Sequence, residues 1–261
     1  MKKLLKYFRK EYEAALGIII RSKLEITIFN PRYLSNYWLN KNIKSSAKYT
    51  KGILLDIGCG NEPYYTVYIN KVDKYFGLDL PTASKVMEVN LKPDIISDAN
   101  FSIPCRNESI DTVLLLQVLE HLAEPEKVIS ETKRILRKGG VLILSSRQLY
   151  PVHGIPFDFF RFTKYGLEYL LIQKNRFKIE EIEAEGSFWP LLGLVINIFL
   201  FDFLFKSDNL LLGRILYVSK FILTPILLLL ISMVNSICFF LSLIFPQIDN
   251  FALNYFIIAK K

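Results

Sequence analysis

The stretch Ile53-Leu54-Leu55-Asp56-Ile57-Gly58-Cys59-Gly60-Asn61 decides how this chain folds. An apolar run meets an acidic residue and then turns on two glycines. Ile53 to Leu55 carries no charge, as expected of a strand covered on both faces in a parallel sheet. Gly58 and Gly60 permit a tight bend and let a ligand approach main-chain N–H groups without meeting a Cβ. One G-x-G is a weak signal alone. Further acidic strand ends at set distances along the chain give it weight.

The next strand, Lys74-Tyr75-Phe76-Gly77-Leu78-Asp79-Leu80, ends in a second acidic residue, 19 positions after Gly60. A carboxylate there can accept both ribose hydroxyls of an adenosine lying across a sheet edge. Asp94-Ile95-Ile96-Ser97-Asp98-Ala99 repeats the pattern, and Asp111 to Gln117 is an apolar fourth strand leading into Val118-Leu119-Glu120-His121. A helix starts near Glu124-Pro125-Glu126, with proline suited to its first position and acidic residues to its positive end. Lys133, Arg134, Arg137 and Lys138 suit its negative end, Gly139-Gly140 stops it, and Val141 to Ser145 is a fifth strand. Strands and helices thus alternate from about 52 to 146, which predicts an open, mostly parallel α/β sheet.

Taken together, these residues closely resemble the class I S-adenosylmethionine-dependent methyltransferases, in particular their type 11 group, over roughly residues 45 to 185 and again at the C-terminus. LLDIGCG looks like that family's first motif and GLDL like its second. SDANFSIPCRNESIDTVLLLQVLEHL is similar to its adenine-contact, loop and fourth-strand run, and RILRKGGVLILSS to its helix, Gly-Gly turn and fifth strand. The resemblance implies a Rossmann-like seven-stranded, mostly parallel sheet with helices on both faces, and S-adenosyl-L-methionine as cofactor. It further implies that Asp56, Gly58, Cys59 and Gly60 line the methionine part, that Asp79 and Leu80 meet the ribose, that Asp98 and Ala99 meet adenine, and that Gln117 sits beneath the sulfonium. A nicotinamide dehydrogenase also uses a glycine turn and a later acid. Its fingerprint wants a third glycine where this chain has Pro63, and it lacks an acid at the position of Asp56.

With 261 residues the chain can hold one packed domain and an addition, and its formal net charge of +8 suits an anionic partner surface. Three widely spaced cysteines, Cys59, Cys105 and Cys238, show no zinc-type pairing and point to a reducing compartment. Two histidines are too few for a His-rich metal site, so no metal is expected. Nucleic acid is not expected as a substrate either, because the fourth strand lacks an NPPY-like amino-group motif and no RNA-binding module is appended. Met1 to Arg21 reads as a basic amphipathic helix that packs on its own domain or lies on an anionic membrane face. Residues 31 to 50 read as another helix.

Phe177 to Ala184 and Asn254 to Lys261 read as the sixth and seventh strands, which form an antiparallel pair in the resembled family. Here about seventy very apolar residues separate them. Phe221 to Phe245 is 25 residues without a charge, long enough to cross about 30 Å of hydrocarbon. Gly186 to Phe201 is uncharged for 16 residues, which is short for a span, and Trp189 and Tyr217 stand where interfacial aromatics would. Both flanking strands join one sheet, so the insert crosses a membrane an even number of times or dips in and returns. Lys206, Arg214 and Lys220 against Asp208 would place net positive charge on the outer side of a hairpin, against the usual bias. An oligomer interface or substrate lid on a soluble enzyme is the alternative. The expected organisation is N-terminal helices over 1–50, a methyltransferase core over 51–186, an apolar helical membrane-associating insert over 187–249 and the final core strand over 250–261. The catalytic domain is expected in the cytoplasm, attached to the membrane.

Arg147 to Thr163 comes after the fifth strand and so emerges at the carboxyl edge, where open α/β sheets bind ligands. Pro151 and Pro156 stiffen it, and its aromatics would form an apolar wall. It resembles the H-x-x-P-x-D-[FY]-[FY]-R-[FY]-T stretch of methyltransferases that act in glycan or lipid-linked sugar pathways. Tyr150, Asp158 and Arg161 are the candidate substrate-binding residues. Asp158 and Arg161 alternatively pair with each other to fix the loop, and a free Arg161 would grip a phosphate bidentately. His153 and His121 are the candidate bases for an oxygen nucleophile, being the side chains whose unperturbed pKa lies near neutral. Either histidine alternatively only holds its own backbone in place. The expected function is methyl transfer to a small or lipid-linked acceptor, with a quinone or polar-lipid acceptor and a non-catalytic cofactor-binding anchor as alternatives.

Overall fold

The computed structural model describes residues 26–80, 93–205 and 210–261, with side chains outside 204–222. The expected helix over Met1 to Arg21 lies outside them. Among the described residues the chain divides into two compact units, 39–185 with 252–261, and 26–38 with 186–251.

The first unit is a seven-stranded sheet: β1 (Ile53–Ile57), β2 (Lys74–Asp79), β3 (Ile95–Ile96), β4 (Ile110–Leu116), β5 (Leu136–Arg147), β6 (Lys178–Glu185) and β7 (Asn254–Lys260). Their order is β3-β2-β1-β4-β5-β7-β6. β1 lies parallel between β2 and β4, and β4 runs parallel to β5. β7 alone is reversed, antiparallel to both β5 and β6, so the two last strands pair as expected across the long insert. Its sequence explains the central place: Tyr255 to Ala259 is apolar on both sides of the pleat and fully buried. Leu54, Leu55 and Ile57 of β1 are buried completely as well. Each such side chain stabilises the sheet by roughly 1.5–3 kcal/mol.

Helices α1 (Tyr33–Ser46), α2 (Tyr65–Tyr68), α3 (Pro125–Ile135) and α4 (Lys164–Glu168) connect or flank the strands. Pro125 opens α3, and Thr163 caps α4, its hydroxyl accepting the Gly166 N–H at 3.1 Å. A π-helical turn carries α4 on to Lys174.

The end of α3 departs from expectation. The helix stops at Ile135, and β5 begins at once with Leu136, ahead of the Gly-Gly pair. Glu108 and Ser109, just before β4, donate their N–H groups to the carbonyls of Arg134 and Ile135 and so draw the chain into the sheet. Gly139 then takes φ +72 where the register between β4 and β5 shifts. Arg137 and Lys138 therefore lie in a strand and do not balance the helix end. Arg137 instead donates to Asp111 at 2.6 Å, and the same carboxylate accepts the Ile53 N–H at 2.9 Å.

The second unit holds α5 (Phe188–Phe205) and α6 (Leu210–Ile244), which pack as an antiparallel hairpin: Gly193 faces Cys238 and Asn197 faces Asn235. Gly193 is required there, since a Cβ would stand 2.5 Å from Leu34 and 3.0 Å from Cys238. Asn197 donates to Asn235 at 2.8 Å, and Asn235 donates to the carbonyls of Ile28 and Asn30 at 2.7 and 3.0 Å. Leu223–Ile244 is apolar and long enough to cross a membrane, and only 28% of it is buried. Phe188–Phe203 is apolar but shorter.

Candidate active site

The carboxyl ends of β1, β2, β4 and β5 share one edge of the sheet, and most of the candidate residues collect there. After β1 the chain turns with Gly58 at φ +71 and Gly60 at φ +56. At Gly58 a side chain is doubly excluded, because a Cβ would lie 2.5 Å from Val118. The bend is tied to β2: Gly58 N donates to Leu78 O at 2.8 Å, and Gly60 N donates to an Asp79 carboxylate oxygen at 2.7 Å. The other Asp79 oxygen accepts Leu80 N, also at 2.7 Å. The acidic tip of β2 thus sits against the glycine bend, as a nucleoside site requires. Cys59 is buried beside it, and burial pushes its thiol up, away from nucleophilic chemistry.

Asp56 is buried and accepts the Tyr75 hydroxyl at 2.5 Å. That contact across β1 and β2 was not foreseen, although Tyr75 alternates in phase with Asp56 in the strand register. Burial, reinforced by the Asp56 charge, raises the Tyr75 hydroxyl pKa, so the pair is a neutral donor on a carboxylate. Asp98 closes its own turn, accepting the N–H and the side-chain amide of Asn100 at 2.9 Å each, with Ala99 buried beside it.

Gln117, just past β4, adopts φ +58, a left-handed conformation that costs a non-glycine residue free energy. Its amide nitrogen donates to Ser145 Oγ at 2.5 Å, while its buried Oε1 has no partner. A strained residue holding an orphaned acceptor at the ligand edge is a site waiting for a donor or a positive charge. This acceptor, the side-chain-free glycine bend and the carboxylate of Asp79 together fit S-adenosylmethionine, which brings hydroxyls, an ammonium and a sulfonium.

The loop after β5 is fixed from within. Arg161 clasps Asp158 bidentately at 2.6 and 2.7 Å and also donates to the carbonyls of Tyr150 and Pro151. The guanidinium holds the Asp158 carboxyl well below the usual range. Asp158 in turn accepts His153 N at 2.9 Å. Arg161 is therefore committed to the loop, and the fold presents no free guanidinium at this position to grip a phosphate. Phe159 and Phe160 donate their N–H groups to Glu120 O, pinning the loop to the turn after β4. Val152, Ile155, Phe157, Phe159 and Phe160 remain exposed.

His121 and His153 meet ring to ring, with centroids 4.7 Å apart. Burial, aided by the Arg147 and His121 charges, pushes His153 down to about 4. It is neutral at physiological pH and a weaker base than its ordinary value suggests.

Sequence reasoning missed a buried polar network beside this loop. Arg147 stacks on Tyr150, 3.9 Å from the ring centroid, and donates to Asn254 at 2.9 Å. Asn254 and Asn42 donate to Glu185 at 2.8 and 3.1 Å. Burial raises the Glu185 carboxyl to about 7. One signal was present: Arg147 and Glu185 stand just past the ends read for the fifth and sixth strands, and Asn254 opens the seventh.

Residues 55–144 match the family model described as a methyltransferase domain. A protein of Mycolicibacterium smegmatis, described as a probable S-adenosylmethionine-dependent methyltransferase, is 30% identical over 95 residues, 36% of this chain. The chain spans 37% of that relative's length. Two crystal structures share the fold at a TM-score of 0.50 each. One is a SAM-dependent methyltransferase from Archaeoglobus fulgidus, 14% identical over 96% of this chain and all of that one. The other is the [4+2]-cyclase SpnF, 17% identical over 85% of this chain and 80% of that one. Within the sheet unit, residues 55–144 are thus similar to a methyltransferase domain and to part of a probable S-adenosylmethionine-dependent methyltransferase.

Proposed function

We propose that this protein is a membrane-associated S-adenosylmethionine-dependent methyltransferase that transfers a methyl group to oxygen of a small or lipid-linked acceptor. The observation that carries the cofactor reading is the orphaned Gln117 acceptor, placed on the same sheet edge as the Gly58–Gly60 bend and Asp79. In this reading Gly58, Cys59 and Gly60 offer main chain to the methionine part, with Asp56 behind them. Asp79 and Leu80 hold the ribose, Asp98 and Ala99 the adenine, and Gln117 faces the sulfur. When bound, the cofactor supplies a methyl group on a positively charged sulfur, already activated for displacement. The protein's own work is alignment and exclusion of water. The loop from Tyr150 to Phe162, locked by Asp158 and Arg161, walls the acceptor, and His121 and His153 are the groups that would hold a departing proton.

Membrane attachment rests on the apolar hairpin, whose long helix exposes Leu229, Met233, Ile237, Phe240 and Leu243. The 16 residues of Phe188–Phe203 extend about 24 Å, short of about 30 Å of hydrocarbon. A hairpin that dips in and returns suits the shorter helix, whereas the longer one has the length to cross. The exposed apolar tip of the Val152–Phe160 loop and the engagement of Arg161 favour a second reading of the acceptor, a quinone or polar lipid without a phosphate to be gripped. The test is mass spectrometry of lipids and glycans from cells with and without the protein, seeking a gain of about 14 daltons for one methyl. Asp79→Asn should remove that product and weaken cofactor binding by at least about tenfold in calorimetry, about 1.4 kcal/mol. Undiminished affinity in the folded variant would refute the ribose role.

A further inference from the structure

The chain has two histidines, and the fold brings both to one place. His121 Nδ1 lies 2.5 Å from Phe157 O, and His153 Nδ1 lies 3.2 Å from Pro151 O. A carbonyl oxygen only accepts, so in each neutral ring Nδ1 carries the proton and Nε2 keeps a lone pair. A backbone carbonyl on the far nitrogen is how metal-binding imidazoles are commonly oriented. Beside them stands Glu120, fully buried. One of its oxygens accepts the Ser146 hydroxyl at 3.0 Å; the other, Oε1, has no hydrogen-bond partner. Arg147 Nε forms a long ion pair with that oxygen at 3.8 Å, beyond hydrogen-bond reach, and its guanidinium is also engaged by Asn254 and Tyr150. A buried carboxylate oxygen without a donor is costly unless a cation completes it.

One ligand atom from each of Glu120, His121 and His153 lies within 4.8 Å of the others. Metal bonds of about 2.1 Å place tetrahedral ligands about 3.4 Å apart, so modest side-chain rotations close the set. We propose that Glu120, His121 and His153 bind one divalent first-row transition-metal ion. Two imidazoles and one carboxylate suit zinc, iron, cobalt or nickel and not magnesium or calcium. Three protein ligands leave a position for water or for an oxygen of the acceptor. His153 belongs to the loop at the ligand edge, so the ion would select an acceptor with an oxygen donor and orient it. With the ion bound, the two imidazoles serve as ligands in place of the proton-holding role of the metal-free rings. That role rests on the methyltransferase reading, whereas ion binding itself does not.

The test uses the full-length chain, stripped with a chelator and titrated with cobalt(II) alone, then zinc(II) alone. Calorimetry and the visible absorption of bound cobalt are read, with S-adenosylmethionine affinity measured in parallel. One ion per chain is expected, with nitrogen ligation in the cobalt spectrum. His153→Ala, His121→Ala and Glu120→Gln should each weaken binding at least about tenfold. The histidine variants, less buried than Glu120, should keep the melting temperature of the stripped protein and keep the case decidable if Glu120→Gln fails to fold. A chain that binds S-adenosylmethionine but no ion, or that binds the ion equally well as His153→Ala, overturns the site and leaves the methyl-transfer reading standing. Ion binding without cofactor binding supports the site and sinks that reading.

Discussion

At Gly58 two independent constraints fall on one residue: a left-handed backbone and a wall formed by Val118. Gly58→Ala should therefore cost about 1–2 kcal/mol in backbone strain, with the Val118 clash added. We expect a lower melting temperature and weaker cofactor binding, partly recovered in stability by adding Val118→Ala. Recovery in full would mean that the backbone term is absent. Glu185 carries a prediction of opposite character. Its carboxyl goes from an ordinary 4.5 to about 7 on folding, because burial disfavours the charge more than two asparagine amides favour it. The folded state binds this proton more tightly, so the contribution is full below about 4.5 and fades as pH climbs through about 7. The loss is roughly 3 kcal/mol at higher pH. Glu185→Gln should flatten the decline of thermal stability between about pH 5 and 8, and an unchanged slope would count against the burial argument. Asp56, Gly58, Gly60 and Asp79 were legible as ligand-edge residues because each ends a strand or makes a turn, which is a local property. Tyr75 on Asp56 and Asn254 on Glu185 were not, since those partners depend on strand register.

Among the elements, helix starts were easier to read than helix ends. Pro125 acts through its own φ angle and appeared where the sequence put it, and Thr163 caps α4 through its own hydroxyl. Thr163→Ala should destabilise the sheet unit by about 1 kcal/mol, and Thr163→Ser should restore it, as judged by denaturant midpoints. Equal stability of the alanine variant would show that the Gly166 N–H finds another acceptor. The end of α3 was misplaced because Glu108 and Ser109, from another part of the chain, capture its last carbonyls. No signal within Arg134 to Gly140 announces that contact.

For the whole molecule, the prediction concerns the insert between β6 and β7. Replacing residues 187–249 by a short turn should move the protein from the membrane to the soluble fraction, with cofactor affinity retained within about threefold, well under 1.4 kcal/mol. Full-length protein that stays in solution without detergent would remove the attachment. Antiparallel pairing of β7 with both β5 and β6 explains how so long an insert is tolerated, since the strands on either side of it are held in the sheet.

The sequence by itself determined the alternation of strand and helix, the glycine bend, the acidic strand tips and an apolar segment long enough for a bilayer. Each arises from periodicity or from one residue's conformational limits. The Asp158–Arg161 pair, three residues apart, was among the sequence readings, whereas only the tertiary structure decided the meetings of side chains from separate strands: His121 with His153, Arg147 with Asn254, Glu120 with Ser146. Such contacts depend on where loops from separate strands land, and counting histidines, which led to no metal being expected, says nothing about their distance. Folding brings distant groups together through burial of the sheet, whose energy does not depend on the polar residues carried to its edge.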